Sequence, residues 1–396
     1  MNTAVADDRS APALHFVLKV ASRCNLNCSY CYVYNKGDSS WRDRPAFMAD
    51  EIFDAAMRRI RDHCARSGQH SVRVTFHGGE PCLAGPERFA QWCAVAKDAI
   101  EGVCRLDLSV QTNATLIDKT WVDVLRQFGV SVGVSVDGPA EINDSLRVDH
   151  AGRGSYAATR RGLELLRDGG IDVQILCVLR PGADSVRIHQ HLAGLGVRKI
   201  NYLLPDHTHE TIGVVHELFG PTPCADYLLP IMEQWYKPGA ELRIEMFWNM
   251  ARVILGGDTQ IDVFGGGAYR YAFVETNGDI EGLDVLKIAN DGLSTTGLHV
   301  LRDDFMAIAD RSPLHRMVMF DGLELPTECG GCPEQLTCSG GYLPHRFSSK
   351  RGLDNPTVWC ADMLRLFARM RERLDVSSEE TKQRRAILAE MSTDAE

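Results

Sequence analysis

The chain has 396 residues, 44% hydrophobic and 24% charged, with a formal net charge of −10. That length exceeds what one hydrophobic core serves, so two or three lobes are expected. The acidic balance excludes nucleic acid and anionic membrane as main partners, since either would want a basic face. No apolar run approaches the ~20 residues of a membrane span. The leader MNTAVADDRSAPAL is acidic and lacks an apolar stretch, so neither a signal nor a transit peptide is expected. Thirteen cysteines without a secretion signal point to metal binding in a reducing cytoplasm rather than to disulfides.

After a flexible segment over 1–13, strands are predicted at 15–20, 71–76, 106–110, 130–135, 172–179 and 199–204. Helices are predicted near 50–66, 86–101, 118–128, 155–168, 184–194 and 224–236. The first helix shows its period clearly, with Ile52, Phe53, Ala56, Met57, Ile60 and Cys64 on one face. Gly129, Gly169-Gly170 and Gly196 close helices just before the next strand. Six βα units in series imply a parallel sheet with right-handed crossovers, short of the eight that close a (β/α)8 barrel. A curved partial (β/α)6 barrel over 14–240 is the expected α/β fold, with an open side for a large substrate.

Beyond residue 240 the rhythm changes. AFVETNGDIEGLDVLK reads as a hairpin with Asn277-Gly278 in a two-residue turn. A second cysteine group follows from Cys329 to Cys360, then a helix starting near Asp362. A second domain is expected over 241–376, and the charged tail 377–396 is expected as a solvated helix or disordered.

The chemistry starts at Cys24, Cys28 and Cys31 in CNLNCSYC. Thiolates this close on one loop can wrap a cubane [4Fe–4S] cluster, which normally takes four protein ligands. With three, one iron keeps an open site. A zinc knuckle would close with a fourth Cys or His at short range, and none follows before His63. Ligand sites on parallel sheets lie at the carboxyl ends of strands. That rule brings the cysteine loop together with His77-Gly78-Gly79-Glu80-Pro81, Gln111-Thr112-Asn113 and Ser135-Val136-Asp137-Gly138.

Together these motifs resemble the radical S-adenosylmethionine (radical SAM) superfamily. The resemblance implies that Gly78, Gly79 and Glu80 take the methionine amino group of SAM. Ser135 and Arg147 would hold its carboxylate and ribose, with Asn113 in the same pocket. It also implies reductive cleavage of SAM to a 5′-deoxyadenosyl radical that abstracts a substrate hydrogen, and an electron donor such as flavodoxin or ferredoxin.

Cys329, Cys332, Cys338 and Cys360 resemble the auxiliary-cluster module called SPASM, which usually holds two further clusters. Here Leu283 and Tyr342 stand where cysteines of the inner cluster would. The resemblance therefore implies one auxiliary [4Fe–4S] cluster with four cysteine ligands; a structural zinc is the alternative, because C-x2-C suits zinc equally well. CSYCYVYNKGDSSWRDRP, HGGEPCLAGPERF, CSGGYLPHR and the ending from Asp354 to Asp362 are similar to Fxs-type maturases. Those enzymes join an aromatic ring to a β-carbon in a ribosomally made precursor peptide, and a related set makes cyclopropyl residues. Epimerisation, formylglycine formation and a non-catalytic electron carrier are the rival readings.

Asp284 follows Leu283 at the position where related sulfatase maturases carry a catalytic base. The run Asp206-His207-Thr208-His209-Glu210 is expected as a substrate-facing loop rather than a metal site. His189 and His191 are expected at the surface. Cys64, Cys82, Cys93, Cys104, Cys177 and Cys224 are expected as small hydrophobes.

Overall fold

The computed structural model describes residues 12–237, 242–289 and 292–393, so most of the expected flexible segment 1–13 lies outside the described residues. Six strands run in series: β1 (His15–Ala21), β2 (Ser71–Gly78), β3 (Arg105–Thr112), β4 (Ser131–Ser135), β5 (Val173–Val178) and β6 (Lys199–Leu203). Each is parallel to the one before it. The crossover helices Asp50–Ser67, Pro86–Ile100, Lys119–Phe128, Tyr156–Asp168 and Ser185–Ala193 fall where the sequence periodicity puts them, as does Pro223–Trp235 after β6. Their ends are chemically marked. Asp118 accepts from the Trp121 amide and Asp184 from the Arg187 amide at 3.0 Å each, while Gly129 closes a helix at φ 65°.

The sheet then goes further than the six expected strands. A two-residue strand β7 (Arg243–Ile244) adds to β6. On the other side β8 (Tyr271–Val274) lies parallel to β1, followed by antiparallel β9 (Asp279–Glu281) and β10 (Thr295–His299). The result is one ten-stranded sheet with β10 and β7 at its edges, a partial barrel extended by a meander. Burial explains why β1 sits mid-sheet: every residue after His15 is buried, as a strand covered on both faces requires.

The hairpin differs from expectation in its turn. Glu275 N bonds Asp279 O at 2.9 Å, leaving a three-residue loop Thr276–Gly278, with Gly278 at φ 94° and its amide 2.8 Å from Glu275 O. A glycine at positive φ after the turn is the bulged alternative to a two-residue Asn-Gly turn. The helix Cys360–Leu374 packs on Pro223–Trp235, where Asp362 accepts from the Ala225 amide at 2.8 Å. The charged tail forms a helix, Ser378–Thr393, anchored by Thr381 Oγ1 to Ile254 O at 2.7 Å. No helix among the described residues is long and apolar enough to cross a membrane.

Two smaller expectations need correction. His189 is buried, not at the surface, and bonds the Tyr202 hydroxyl at 2.8 Å across the helix–strand layer. His191 is half-buried and meets the Tyr156 hydroxyl at 2.7 Å.

Candidate active site at the carboxyl ends of the strands

A cavity of about 310 Å3 opens at the carboxyl ends of β1–β6, and it gathers the motifs that sequence alone could only align. Cys24, Cys28 and Cys31 line it, together with Gly78, Gly79, Glu80, Asn113, Ser135 and Arg147. The three cysteines sit on the loop after β1, tightened by Cys31 N to Cys28 O at 3.0 Å and Asn35 N to Cys31 O at 2.9 Å. Burial pushes the Cys24 thiol up to about 12, and the neighbouring Glu80, Cys28 and Cys31 charges add to it. A metal centre would bind these three thiols as thiolates and displace their protons, supplying the positive charge that their burial otherwise lacks.

The glycine pair docks this loop. A Cβ on Gly78 would stand 2.0 Å from Ala21 O, and one on Gly79 would stand 2.1 Å from Tyr34 Oη and 2.2 Å from Arg23 O. The gap lets Gly79 N reach Ala21 O at 2.7 Å and Glu80 N reach Arg23 O at 2.9 Å. Any side chain there would separate β2 from the cysteine loop.

Glu80 is 1% exposed. Its Oε1 accepts from Thr112 Oγ1 at 2.6 Å and Cys82 N at 3.0 Å, and its Oε2 from Asn113 N at 2.8 Å. Burial raises its carboxyl, and those three donors hold part of the rise back. Oε2 retains capacity for one more donor, as an ammonium partner requires. Asn113 steadies the loop, donating to Asn25 Oδ1 at 2.9 Å. Ser135 accepts from Gln111 Nε2 at 2.9 Å.

Arg147 is buried, yet its Nε has no hydrogen-bond partner. Its Nη1 donates to Tyr30 Oη at 2.6 Å, and Tyr30 donates to Asp137 Oδ2 at 2.5 Å. Sequence reading quoted Tyr30 and Asp137 inside motifs but missed this brace. An unsatisfied buried guanidinium nitrogen in a cavity wall fits an anionic group of a bound cofactor.

The far wall carries Asp206, Asp262, Val263, Val285, Tyr342 and His345. Asp262 bonds the Tyr342 side chain; burial raises its carboxyl to about 6, and the Asp206 and Asp284 charges add to the rise. His345 Nε2 meets Asp206 Oδ1 at 3.1 Å. Of the run Asp206–Glu210 only Asp206 lines the cavity. His209 instead bonds Pro356 O at 2.9 Å and Glu210 accepts from Ser349 N at 2.6 Å, tying the loop to the C-terminal region. Nothing in the periodicity around Asp262 could have signalled it.

Asp284 is 2% exposed and is not among the residues lining the cavity. It pairs with Lys19 and accepts from Tyr32 Oη at 2.7 Å. Leu283 packs in an apolar cluster with Val17, Phe273 and Leu286, whereas Tyr342 reaches from that cluster to the cavity. Of the cysteines expected to act as small hydrophobes, Cys64, Cys82, Cys93, Cys177 and Cys224 are buried and Cys104 is half-buried.

Cys329, Cys332, Cys338 and Cys360 line a second, small pocket remote in sequence from the first. Burial raises the Cys338 thiol, and the other three thiols add to it. Beside them Arg346 is 1% exposed, its guanidinium donating to Glu324 O, Ser339 O and Gly341 O. Among the described residues, no three His, Cys, Asp or Glu side chains converge tightly enough for a single bare ion. A zinc tetrahedron with ~2.3 Å bonds would draw its sulfurs to about 3.8 Å of one another. A cubane sets each thiolate on a different iron and so holds the sulfurs wider apart than a zinc tetrahedron would.

Comparison with known proteins agrees with this geometry. The Radical SAM superfamily profile matches residues 18–193. The cysteine-type anaerobic sulfatase-maturating enzyme of Clostridium perfringens is 24% identical over 367 residues, 90% of this chain and 96% of that protein. The structure of native anSMEcpe with bound AdoMet and Cp18Cys peptide covers 92% of this chain and 98% of its own, with a TM-score of 0.78 at 21% identity. SuiB of Streptococcus suis bound to precursor peptide SuiA covers 88% and 76%, with a TM-score of 0.58 at 16% identity. Residues 18–193 are thus similar to the Radical SAM superfamily, and the fold of the chain is the one these structures share.

Proposed function

We propose that this chain is a radical SAM enzyme that forms a C–C bond within a ribosomally made precursor peptide, giving a cyclophane cross-link or a cyclopropyl residue. The observation that carries the reading is the single cavity. It joins Cys24, Cys28 and Cys31 to Gly78, Gly79, Glu80, Asn113, Ser135 and Arg147, and continues to Tyr342, the residue that stands where the resemblance implies a cysteine of a further cluster. When bound, the clusters supply the electron that cleaves SAM to a hydrogen-abstracting 5′-deoxyadenosyl radical and take up the electron the substrate gives up.

The chain's own residues do the rest. Cys24, Cys28 and Cys31 hold the open cluster, and Cys329, Cys332, Cys338 and Cys360 hold the closed one. Glu80 receives the methionine ammonium on its remaining lone pair, with Gly78 and Gly79 keeping the rim low. Arg147, braced by Tyr30, offers Nε to the carboxylate, and Ser135 and Asn113 complete the polar lining. The substrate loses one hydrogen as an atom and a second as a proton. Asp262, which lines the cavity and stays half-buried, is the carboxylate placed to take that proton. Asp284 in that role is the alternative. A barrel over 14–240 and an auxiliary domain over 241–376 complete the reading, with flavodoxin or ferredoxin as electron donor in a reducing cytoplasm.

Formylglycine formation is the second reading, favoured by the likeness to a sulfatase-maturating enzyme over 90% of the chain. The absent inner-cluster cysteines, replaced at Leu283 and Tyr342, weigh against it.

The test is coexpression with the small open reading frame beside the gene, followed by tandem mass spectrometry of its peptide. Loss of two hydrogens supports the cross-link or ring closure, and fragmentation separates the two. A cysteine that loses sulfur and two hydrogens and gains an oxygen, or a serine that loses two hydrogens and fragments as an aldehyde within one residue, supports formylglycine, and unchanged mass supports epimerisation. If reduced enzyme makes no 5′-deoxyadenosine from SAM, only an electron-carrier role is left.

A further inference from the structure

Asp284 is close to the reaction in sequence but enclosed in the fold. Its carboxylate is ion-paired to Lys19 and accepts from Tyr32 Oη at 2.7 Å, while Lys19 Nζ donates to the same phenol oxygen at 3.0 Å. The three groups close a triangle. Each corner belongs to a different part of the site. Tyr32 directly follows Cys31 and lines the cavity. Lys19 lies on β1, just before Ala21, whose carbonyl holds Gly79. Asp284 opens the turn after β9, in the region that carries the auxiliary cysteines.

Lys19 and Asp284 are 3% and 2% exposed. A pair this deep loses most of its hydration, so it adds little net stability, whereas removing one partner leaves a bare buried charge. Lys19 also lies over the Tyr32 and Phe273 rings, at 5.3 and 5.8 Å from their centroids. The nearby charge of Lys287 reaches Asp284 as well. A proton acceptor must face its substrate, and this carboxylate, with Lys19 and Tyr32 both on its Oδ2, is not among the residues that line the cavity.

We propose that Asp284 and Lys19 are positioning residues that hold Tyr32, and with it the third cysteine, and set the charge felt by the cluster on that loop. The inference rests on the reading that the three-cysteine loop carries a cluster. Cluster potentials respond to nearby charge and hydrogen bonding. Loss of Lys19 removes a cation beside the loop and disfavours the added electron; loss of Asp284 removes an anion and favours it.

The full chain, reconstituted with iron and sulfide, is compared as wild type, Lys19→Met, Asp284→Asn, the double variant and Tyr32→Phe. Three quantities are read without peptide: iron content, the midpoint potential of the cluster whose EPR signal shifts with SAM, and 5′-deoxyadenosine formed with dithionite. Lys19→Met is expected to lower the midpoint and Asp284→Asn to raise it, with the double variant returning toward wild type. The rate of 5′-deoxyadenosine formation is expected to change severalfold in each single variant and to recover in the double. Tyr32→Phe, which alters no charge and serves if the single charge variants fail to fold, is expected to keep its iron but change the SAM-shifted EPR signal. Shifts of the same sign in both single variants, no recovery in the double, or an unaltered Tyr32→Phe signal overturns the assignment. So does an Asp284→Asn enzyme with unchanged midpoint and unchanged 5′-deoxyadenosine. A wild type that takes up no iron overturns the cofactor reading and this inference with it.

Discussion

The two cysteine groups use similar chemistry to opposite ends. Each sets a sulfur to accept from a backbone amide two residues on, Leu26 N to Cys24 Sγ and Glu334 N to Cys332 Sγ, both at 3.4 Å. Each also has a buried arginine beside it. Arg346, at the four-cysteine group, donates to the carbonyls of residues 324, 339 and 341. Glu334 there is paired with Arg371 at 2.7 Å. At the three-cysteine group, Arg147 keeps an unpartnered Nε and Glu80 keeps a lone pair on Oε2. Spare hydrogen-bonding capacity, not the number of thiols, distinguishes a centre that binds something from one that is sealed.

The strongest way to break that comparison is to empty each centre in turn. Replacing Cys24, Cys28 and Cys31 by Ala is expected to remove about one four-iron cluster's worth of iron and to abolish 5′-deoxyadenosine formation. Cys338→Ala is expected to lower iron by a similar amount while peptide-free cleavage of SAM continues. Iron analysis and chromatography of 5′-deoxyadenosine read both outcomes. If Cys338→Ala also stops SAM cleavage, the two centres are not divided as the geometry suggests.

A smaller effect sharpens how the two regions are joined. Lys287 Nζ meets Glu275 Oε1 at 2.8 Å and Glu281 Oε2 at 2.7 Å. Arg44, from the loop beyond the cysteines, holds the same two carboxylates at 2.8 and 2.5 Å. Lys287→Met leaves two buried carboxylates with one cation, and about 3–5 kcal/mol of stability is expected to go with it. Urea unfolding measures the loss. A change below about 1 kcal/mol would mean that the cluster of charges is wetter than its burial indicates.

What could be read beforehand divides along a physical line. The six βα units were legible because alternating burial and helix stop signals are local, and the motifs fell together because strand ends share one rim. The pairing of β8 with β1 was not legible, since nothing in either strand names its neighbour across more than 250 residues. Lys19 did leave a signal: it is the one Lys or Arg in an otherwise apolar strand, HFVLKVA. A buried lysine asks for a carboxylate partner, yet which one depends on that same long-range pairing. Asp262 left none, because its role comes only from the cavity it borders.

Asp262 therefore provides the finest test of which centre is reactive. Its carboxyl is raised to about 6, first by burial and then by Asp206 and Asp284, whereas an unfolded aspartate titrates near ~3.9. Between those values the folded chain binds a proton that the unfolded chain has released. Stability therefore falls as pH rises from about 4 to about 6, and the full cost remains above that range. Asp262→Asn is expected to be more stable than wild type by roughly 1–2 kcal/mol at pH 7.5, the two-unit shift being discounted for a half-buried group, and no more stable at pH 3.5. An equal gain at both values would show that packing rather than charge is responsible. Peptide modification should follow the same ionisation. In wild type the product rate rises with pH through about 6 as the acceptor loses its proton, and in Asp262→Asn it is low and flat while 5′-deoxyadenosine still forms. A sloping profile in the Asn variant would move the proton to another wall of the cavity and leave Asp262 with packing alone.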